Sequence, residues 1–155
     1  MSNYVSKITL RHVQLGRGSF RNFSGRKTAV NKSGKRLINL FLDEATASQL
    51  KEEGWNVKYF IPKMDDEDVA PQPIPFLEAE LRFDNYPPEV KLEMGGNTQV
   101  LNEDDLVNLN LDQADITDVD VRLSPYTWTD DDGHDRIKAY VDKLKIRMED
   151  NFWDE

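Results

Sequence analysis

Apolar residues in this chain recur in short alternating runs, broken every few positions by Gly, Pro, Asn or Asp. That spacing limits the fold more than any other feature, because alternation at period two marks half-buried strands and the punctuation keeps them short. Val5, Ile8, Leu10, Val13 and Leu15 predict a first strand, and Gly16-Arg17-Gly18-Ser19 a turn or bulge, with Phe20-Arg21-Asn22-Phe23 following. Ser24-Gly25 and Asn31-Lys32-Ser33-Gly34 are further turns that bracket residues 26–30 as a hairpin arm or loop. Residues 36–42 are the most apolar stretch and predict a central strand.

Two short helices interrupt the strands. Asp43 and Glu44 place negative charge at the start of the first, Ala45 and Leu50 supply its inner face, and Gly54 stands where it ends. Asn102 caps the second, with Glu103, Asp104 and Asp105 in its first turn and Leu106, Val107 and Leu109 after them. Between the helices, residues 55–61 restart the strands. Residues 64–75 read as a loop, because Asp65-Asp66-Glu67-Asp68 is followed by Pro71, Pro73 and Pro75. Residues 76–83 and 90–94 then read as a strand pair turned at Tyr86-Pro87-Pro88.

Val119, Val121 and Leu123 alternate cleanly, and Tyr126 and Trp128 extend that strand past Pro125. Asp130-Asp131-Asp132-Gly133 is a hairpin-type turn, and residues 137–148 after it read two ways. Ile137, Val141, Leu144 and Met148 fit one helical face, whereas Leu144, Ile146 and Met148 alternate as in a strand, the reading the turn favours. Apolar Val141 and Leu144 are out of phase, which calls for one register shift near Asp142. Some seven short strands with two helices predict a mainly β fold, a small barrel that removes its own sheet edges.

Charge is strongly polarised along the chain. Residues 1–42 hold nine basic residues and no acid, residues 1–64 carry a net +8, and residues 65–155 carry −17. The overall charge of −9 therefore conceals a cationic surface. No apolar run is long enough to span a membrane, residues 1–10 lack the apolar core of a secretory signal, and there is no Cys. A cytoplasmic protein is expected.

Catalytic motifs are scarce. His12 and His134 stand at no metal-pair or nucleophile-base spacing; Gly16-Arg17-Gly18 lacks the third Gly of a dinucleotide loop, and Gly34-Lys35 lacks the surroundings of a P-loop. The acidic runs at 65–68 and 130–133 lack calcium-loop spacing. No enzyme, no cofactor and no metal are expected. A metal-dependent nuclease built from converging carboxylates is the weakest of the alternatives.

Aromatic rings interleave with cations in Phe20-Arg21-Asn22-Phe23-Ser24-Gly25-Arg26-Lys27, and Lys32, Lys35 and Arg36 follow. Single-stranded nucleic acid calls for this pairing, since cations neutralise phosphates while ring faces stack bases. The expected binding face is Phe20, Arg21, Phe23, Arg26, Lys27, Lys32, Lys35 and Arg36, with Trp55, Lys58 and Tyr59 beside it. Lys63, Tyr86, Tyr126 and Trp128 are further candidates. The competing reading is an acidic interaction protein whose late carboxylates mimic nucleic acid toward a host protein. At the C-terminus, Glu149, Asp150, Phe152, Trp153, Asp154 and Glu155 form an acidic aromatic tail suited to docking partner proteins. The expected organisation is one domain over residues 1–148 and a tail over 149–155.

Phe20-Arg21-Asn22-Phe23-Ser24-Gly25, Gly54-Trp55-Asn56-Val57-Lys58, residues 119–128 and Ile137-Lys138-Ala139-Tyr140-Val141 together resemble a family of small bacteriophage proteins, the single-stranded DNA-binding proteins of OB-fold type. The resemblance spans most of the chain. It implies a five-stranded Greek-key barrel with insertions that binds exposed single strands, without sequence preference, in phage replication and recombination. It also implies an acidic tail that recruits replication proteins; here Phe152-Trp153 precede Asp154-Glu155, whereas such tails commonly finish on the aromatic. Whether the protein oligomerises, and whether it prefers DNA to RNA, is left open by these residues.

Overall fold

The computed structural model describes residues 6–29, 31–62, 72–84 and 87–149. In chain order the elements are β1 (Ile8–Leu15), a 3-10 turn (Gly18–Phe20), β2 (Arg21–Asn22), β3 (Arg36–Phe41), α1 (Glu44–Glu52) and β4 (Val57–Phe60). There follow β5 (Ile74–Leu81), β6 (Glu89–Met94), β7 (Asn97–Leu101), α2 (Glu103–Asn108), β8 (Ile116–Thr129) and β9 (Asp135–Met148).

Hydrogen bonding follows the order β4-β5-β3-β1-β8-β9-β6-β7. A parallel contact pairing Ala79 with Ala139 and Glu80 with Tyr140 joins β5 to β9 and closes a ring, β1-β3-β5-β9-β8. Closure rests on that short contact, so the ring is less regular than a full barrel, and β4, β6 and β7 extend it outward. The ring order and its one parallel junction are those of a five-stranded OB-like barrel.

Alternation fills the inside. Ile38 and Leu40 of β3, Leu77, Ala79 and Leu81 of β5, Val119, Val121 and Leu123 of β8, and Ile137, Ala139 and Val141 of β9 are all buried. Each large side chain among them contributes about 1.5–3 kcal/mol by leaving water. Beyond the bulge the buried positions of β9 change parity to Leu144 and Ile146. The cause is Asp142: Arg122 pairs with Lys143 and Leu123 with Val141, leaving Asp142 as the extra residue. The expected register shift lies there.

Both helices start as expected. The Asp43 carboxylate accepts from the Thr46 N–H at 2.6 Å, and Asn102 and Asp105 form a reciprocal capping box. Ala45, expected inside, is exposed; Ala47 and Leu50 are the buried pair, three residues apart on one face. Three strand expectations need correction. Pro75 belongs to β5; its carbonyl accepts from the Leu42 N–H just beyond the end of β3, so the N–H that proline lacks points where that neighbouring strand has already ended. Residues 90–94 do not pair with the strand before them: β6 runs parallel to β9 and turns at Gly95-Gly96 into β7. β7 itself, Asn-Thr-Gln-Val-Leu, has too little alternation to be seen in sequence, and β8 and β9 are 14 residues each rather than short.

One ionic cluster ties β1, β8 and β9. Arg147 donates to Asp118 at 2.8 Å and to Asp120 at 2.5 and 3.0 Å. A bulge in β1 holds His12 at φ 55°, where its N–H donates to Asp120 and its ring lies 3.2 Å from Asp118. The hydrogen bonds from Arg147 outweigh burial and hold the Asp120 carboxyl at about 2; burial pushes Asp118 up, but Arg147 and His12 bring it below its ordinary value. Carboxyls lowered in the fold stabilise it above their unfolded value, about 3.9, and that contribution is lost as the pH falls toward about 2. Thermal melts between about pH 5 and pH 2 are expected to show this loss, and Arg147→Ala to flatten it; an unchanged slope would mean these carboxylates do not govern acid stability.

Candidate nucleic-acid interface

The loop between β2 and β3 carries the cations, and side-chain amides give it a defined shape. The Asn22 amide brackets the Arg26 backbone, accepting from its N–H at 2.9 Å and donating to its carbonyl at 3.0 Å. Asn31 does the same for Lys35, at 3.0 and 2.9 Å. Thr28 and Asn31 exchange backbone hydrogen bonds across the tip. Gly25 and Gly34 sit side by side at φ +73° and +72°; a Cβ on either would lie 3.0 or 2.8 Å from the other's carbonyl oxygen. Only glycine permits both that conformation and that approach.

The base of the loop is clamped by the connection between α2 and β8. Asp112, almost fully buried, accepts from the Phe23 N–H, from the Ser24 hydroxyl at 2.6 Å, and pairs with Arg26 at 3.4 Å. Arg21 donates to the carbonyls of Gly16, Leu111 and Ala114. Burial, then the neighbouring Arg17, lower the Arg21 pKa from its ordinary value.

Arg26, Lys32 and Lys35 line one wall of a groove of about 910 Å³ whose floor is Leu37 and Asn39 of β3 and Glu78 of β5, with Lys138 of β9 at its far end. Glu78 and Lys138 also line the adjoining recess, about 480 Å³, together with Asn56, Lys58, Tyr126, Trp128 and Tyr140. The two hollows therefore adjoin at these two side chains. Cross-strand pairing builds the second wall: Trp128 faces Arg136, Tyr126 faces Lys138 and Ser124 faces Tyr140. This outward face of the β8–β9 hairpin alternates rings with cations. Tyr126 and Trp128 are exposed by 56% and 45%, enough ring surface to receive a base. The Lys138 ammonium pairs with Glu80 at 2.7 Å; burial lowers its pKa, but the Glu80 carboxylate outweighs this and raises it, so the charge is secure.

Several residues expected on the binding face lie elsewhere. Phe23 is wholly buried and Trp55 is 3% exposed; both are core side chains with no ring face for a base. Arg21 borders the groove but is only 2% exposed and is committed to backbone carbonyls. Arg36 lies partly buried, donating to the Phe23 carbonyl and to Glu103 at 2.8 Å, with its guanidinium 5.5 Å over the Phe83 ring. Phe20 packs its ring 5.0 to 5.9 Å from Phe41, Phe60 and Phe76, half-buried in an aromatic cluster outside the cation-lined groove. Aromatic and cationic types alone cannot tell a stacking platform from a core or a clamp. Lys27 shares the loop, but its stem packs over Gly34 and the side chain does not line the groove. Strand alternation separates Lys58, in the recess, from Tyr59, whose hydroxyl accepts from Lys51 of α1 at 3.2 Å. Lys63, Tyr86, Asp150, Phe152, Trp153, Asp154 and Glu155 lie outside the described residues; Glu149 is exposed.

Arg136, Lys138 and Tyr140 were not among the expected residues. Counting strand register outward from the 130–133 turn would have found them, since it sets each opposite Trp128, Tyr126 or Ser124. In that turn Asp130, Asp132 and His134 bring potential ligand atoms within 4.8 Å of one another. Asp130 already accepts from the Asp132 and His134 N–H groups and from Arg136, and the His134 N–H leads in lowering its pKa. Several late carboxylates are likewise matched to cations, among them Glu80, Glu93, Asp118, Asp120 and Asp142. No helix among the described residues is long and apolar enough to cross a membrane.

The fold is similar to the single-stranded DNA-binding protein from bacteriophage Enc34. Its C-terminal truncation aligns at TM-score 0.52 and 14% identity, covering 93% of this chain and 86% of that one. The untruncated form aligns at 0.51 and 13%, covering 93% and 82%. A further similarity, at TM-score 0.42 and 9% identity over 92% of each chain, is to gp2.5, a single-stranded DNA-binding protein encoded by bacteriophage T7. A search of curated proteins found no significant match. Residues 2–154 match the family described as "Putative phage ssDNA-binding domain". On that match over nearly its whole length, this chain belongs to the phage single-stranded DNA-binding domain family.

Proposed function

We propose that the chain binds single-stranded DNA without sequence preference along the groove that runs from the cationic loop, past Lys138, onto the ring-bearing face of the β8–β9 hairpin. The observation that carries this reading is the junction itself: Glu78 and Lys138 border both the cation-lined groove and the recess holding Tyr126 and Trp128. Phosphates would lie along Arg26, Lys32 and Lys35 while bases stack on the exposed rings. The outer face of the second and third barrel strands, with the loops after the first and fourth, is where OB barrels hold oligonucleotides; β3, β5 and these two loops occupy those places. Phosphate and stacking contacts are indifferent to sequence, so the role is protecting or organising exposed strands, without catalysis, in a phage-infected cell's cytoplasm. Residues 1–148 act as the binding domain, and the acidic tail from Glu149 onward recruits replication or recombination proteins; its dense charge and paired aromatics support this.

Fluorescence anisotropy of labelled oligo-dT at two salt concentrations, with duplex DNA as competitor, tests the binding mode. Tight binding that weakens steeply with salt and is barely displaced by duplex is expected. Trp128→Ala and Tyr126→Ala should each cost about 1–3 kcal/mol of affinity with little change in salt dependence, because a stacked ring carries no counterion. Full affinity in both variants would remove the hairpin from the site.

A further inference from the structure

A further hollow of about 400 Å³ shares Tyr140 with the ring-lined recess and is also lined by Arg82, Asp84, Ser124, Asp142 and Lys7. Its size is within the range that takes a small organic ligand. Arg82, exposed, donates from Nε and Nη2 to the two oxygens of Asp84 at 3.2 and 2.6 Å, and its Cζ lies 5.7 Å over the Tyr140 ring. Guanidinium and phenol thus lie together as one surface with π character and a positive charge, the kind on which unstacked bases settle. Lys7 also lines the hollow and pairs with Asp142 at 3.3 Å. Two connections tie this hollow to the groove: Tyr140 is shared with the recess of Tyr126 and Trp128, and Arg82 also lines a shallow channel that reaches Lys35.

We propose that this hollow is an additional nucleotide subsite, taking one base of the bound single strand against the Arg82–Tyr140 wall; the inference rests on the groove reading above. Asp84 and Asp142 neutralise most of the charge of Arg82 and Lys7 around the hollow. Stacking and shape, more than phosphate attraction, would therefore hold the base. The subsite extends the covered length of strand and adds affinity only for strands long enough to reach it.

The test is anisotropy of the full chain with labelled oligo-dT of increasing length, from about 4 to about 16 nucleotides. Wild-type affinity should step upward once the strand reaches the hollow. Arg82→Ala should remove that step, weakening the longer oligonucleotides at least about fivefold, while the shortest bind as before and the salt slope stays nearly the same. Lys7→Ala, at an exposed position, should shrink the same step and serves if Arg82→Ala lowers stability. Arg82→Ala and Lys7→Ala curves parallel to wild type at every length would overturn the inference. So would a uniform loss at all lengths with a flatter salt slope, which would make Arg82 part of the phosphate track. Those failures leave short-strand binding intact, whereas absence of binding by the wild type removes the groove reading along with the subsite.

Discussion

Replacing Arg26, Lys32 and Lys35 together with alanine is expected to weaken oligo-dT binding about 100-fold at about 0.1 M salt and to flatten the salt slope by about 2. Each single-strand phosphate neutralised contributes about −0.7 to the slope of log K against log salt, and three contacts compound to that loss. Stability should hardly move. Lys32 and Lys35 make no ion pair among the described residues, and the Arg26 pair with Asp112 involves a half-exposed guanidinium whose contribution is at most about 1 kcal/mol. Lys27→Ala, in the same loop but outside the groove, is the internal control and should cost distinctly less. Equal losses for Lys27 and Lys32 would mean that the loop acts as a diffuse charge and not as a wall. The measurement is anisotropy across a salt series, with thermal melts of each variant.

Asp112→Ala should produce the largest combined effect. Its removal strips the acceptor from the buried Phe23 N–H and from Ser24, and it frees the base of the cationic loop. Losing hydrogen bonds to a buried charged group costs about 3 kcal/mol, which for a domain of this size lowers the melting temperature by about 10 °C. Affinity for single strands should fall as well, because a loop ordered only upon binding gives up part of its interaction energy to ordering. The sign is diagnostic. Removing a carboxylate makes the neighbourhood more positive, so an effect of charge alone would raise affinity. Asp112→Asn keeps an acceptor in place and should recover much of the affinity. Tighter binding by the alanine variant would show that Asp112 acts through charge and not by positioning the loop.

Much of the architecture is legible in the amino-acid order because it depends on local chemistry. The Asp43 and Asn102 caps, the hairpin at 130–133 and the parity change at Asp142 are each written in a few neighbouring residues, and each is found where the pattern places it. The cationic loop was equally visible, since an acid-free stretch bounded by glycines has few other uses. Strand pairing across distance was not. That β6 runs beside β9, and that β5 meets β9 to close the ring, depends on which buried faces pack together, and no local signal encodes it.

The same division runs through the site. The acid-free run of cations in the first third is plain in the residue order, and with it a concentration of positive charge. Which rings face solvent depends on register and burial. Phe23 and Trp55 lie in the core because the ring of strands needs large apolar side chains there, while Tyr126 and Trp128 stay outside because they extend past the closed part of the hairpin. Arg21 and Arg36 became clamps because buried carbonyls and a carboxylate surround them, whereas Lys32 and Lys35 are exposed and make no ion pair among the described residues. Sequence specifies what each side chain can do; burial and register decide which of those capacities remains exposed to a strand of DNA.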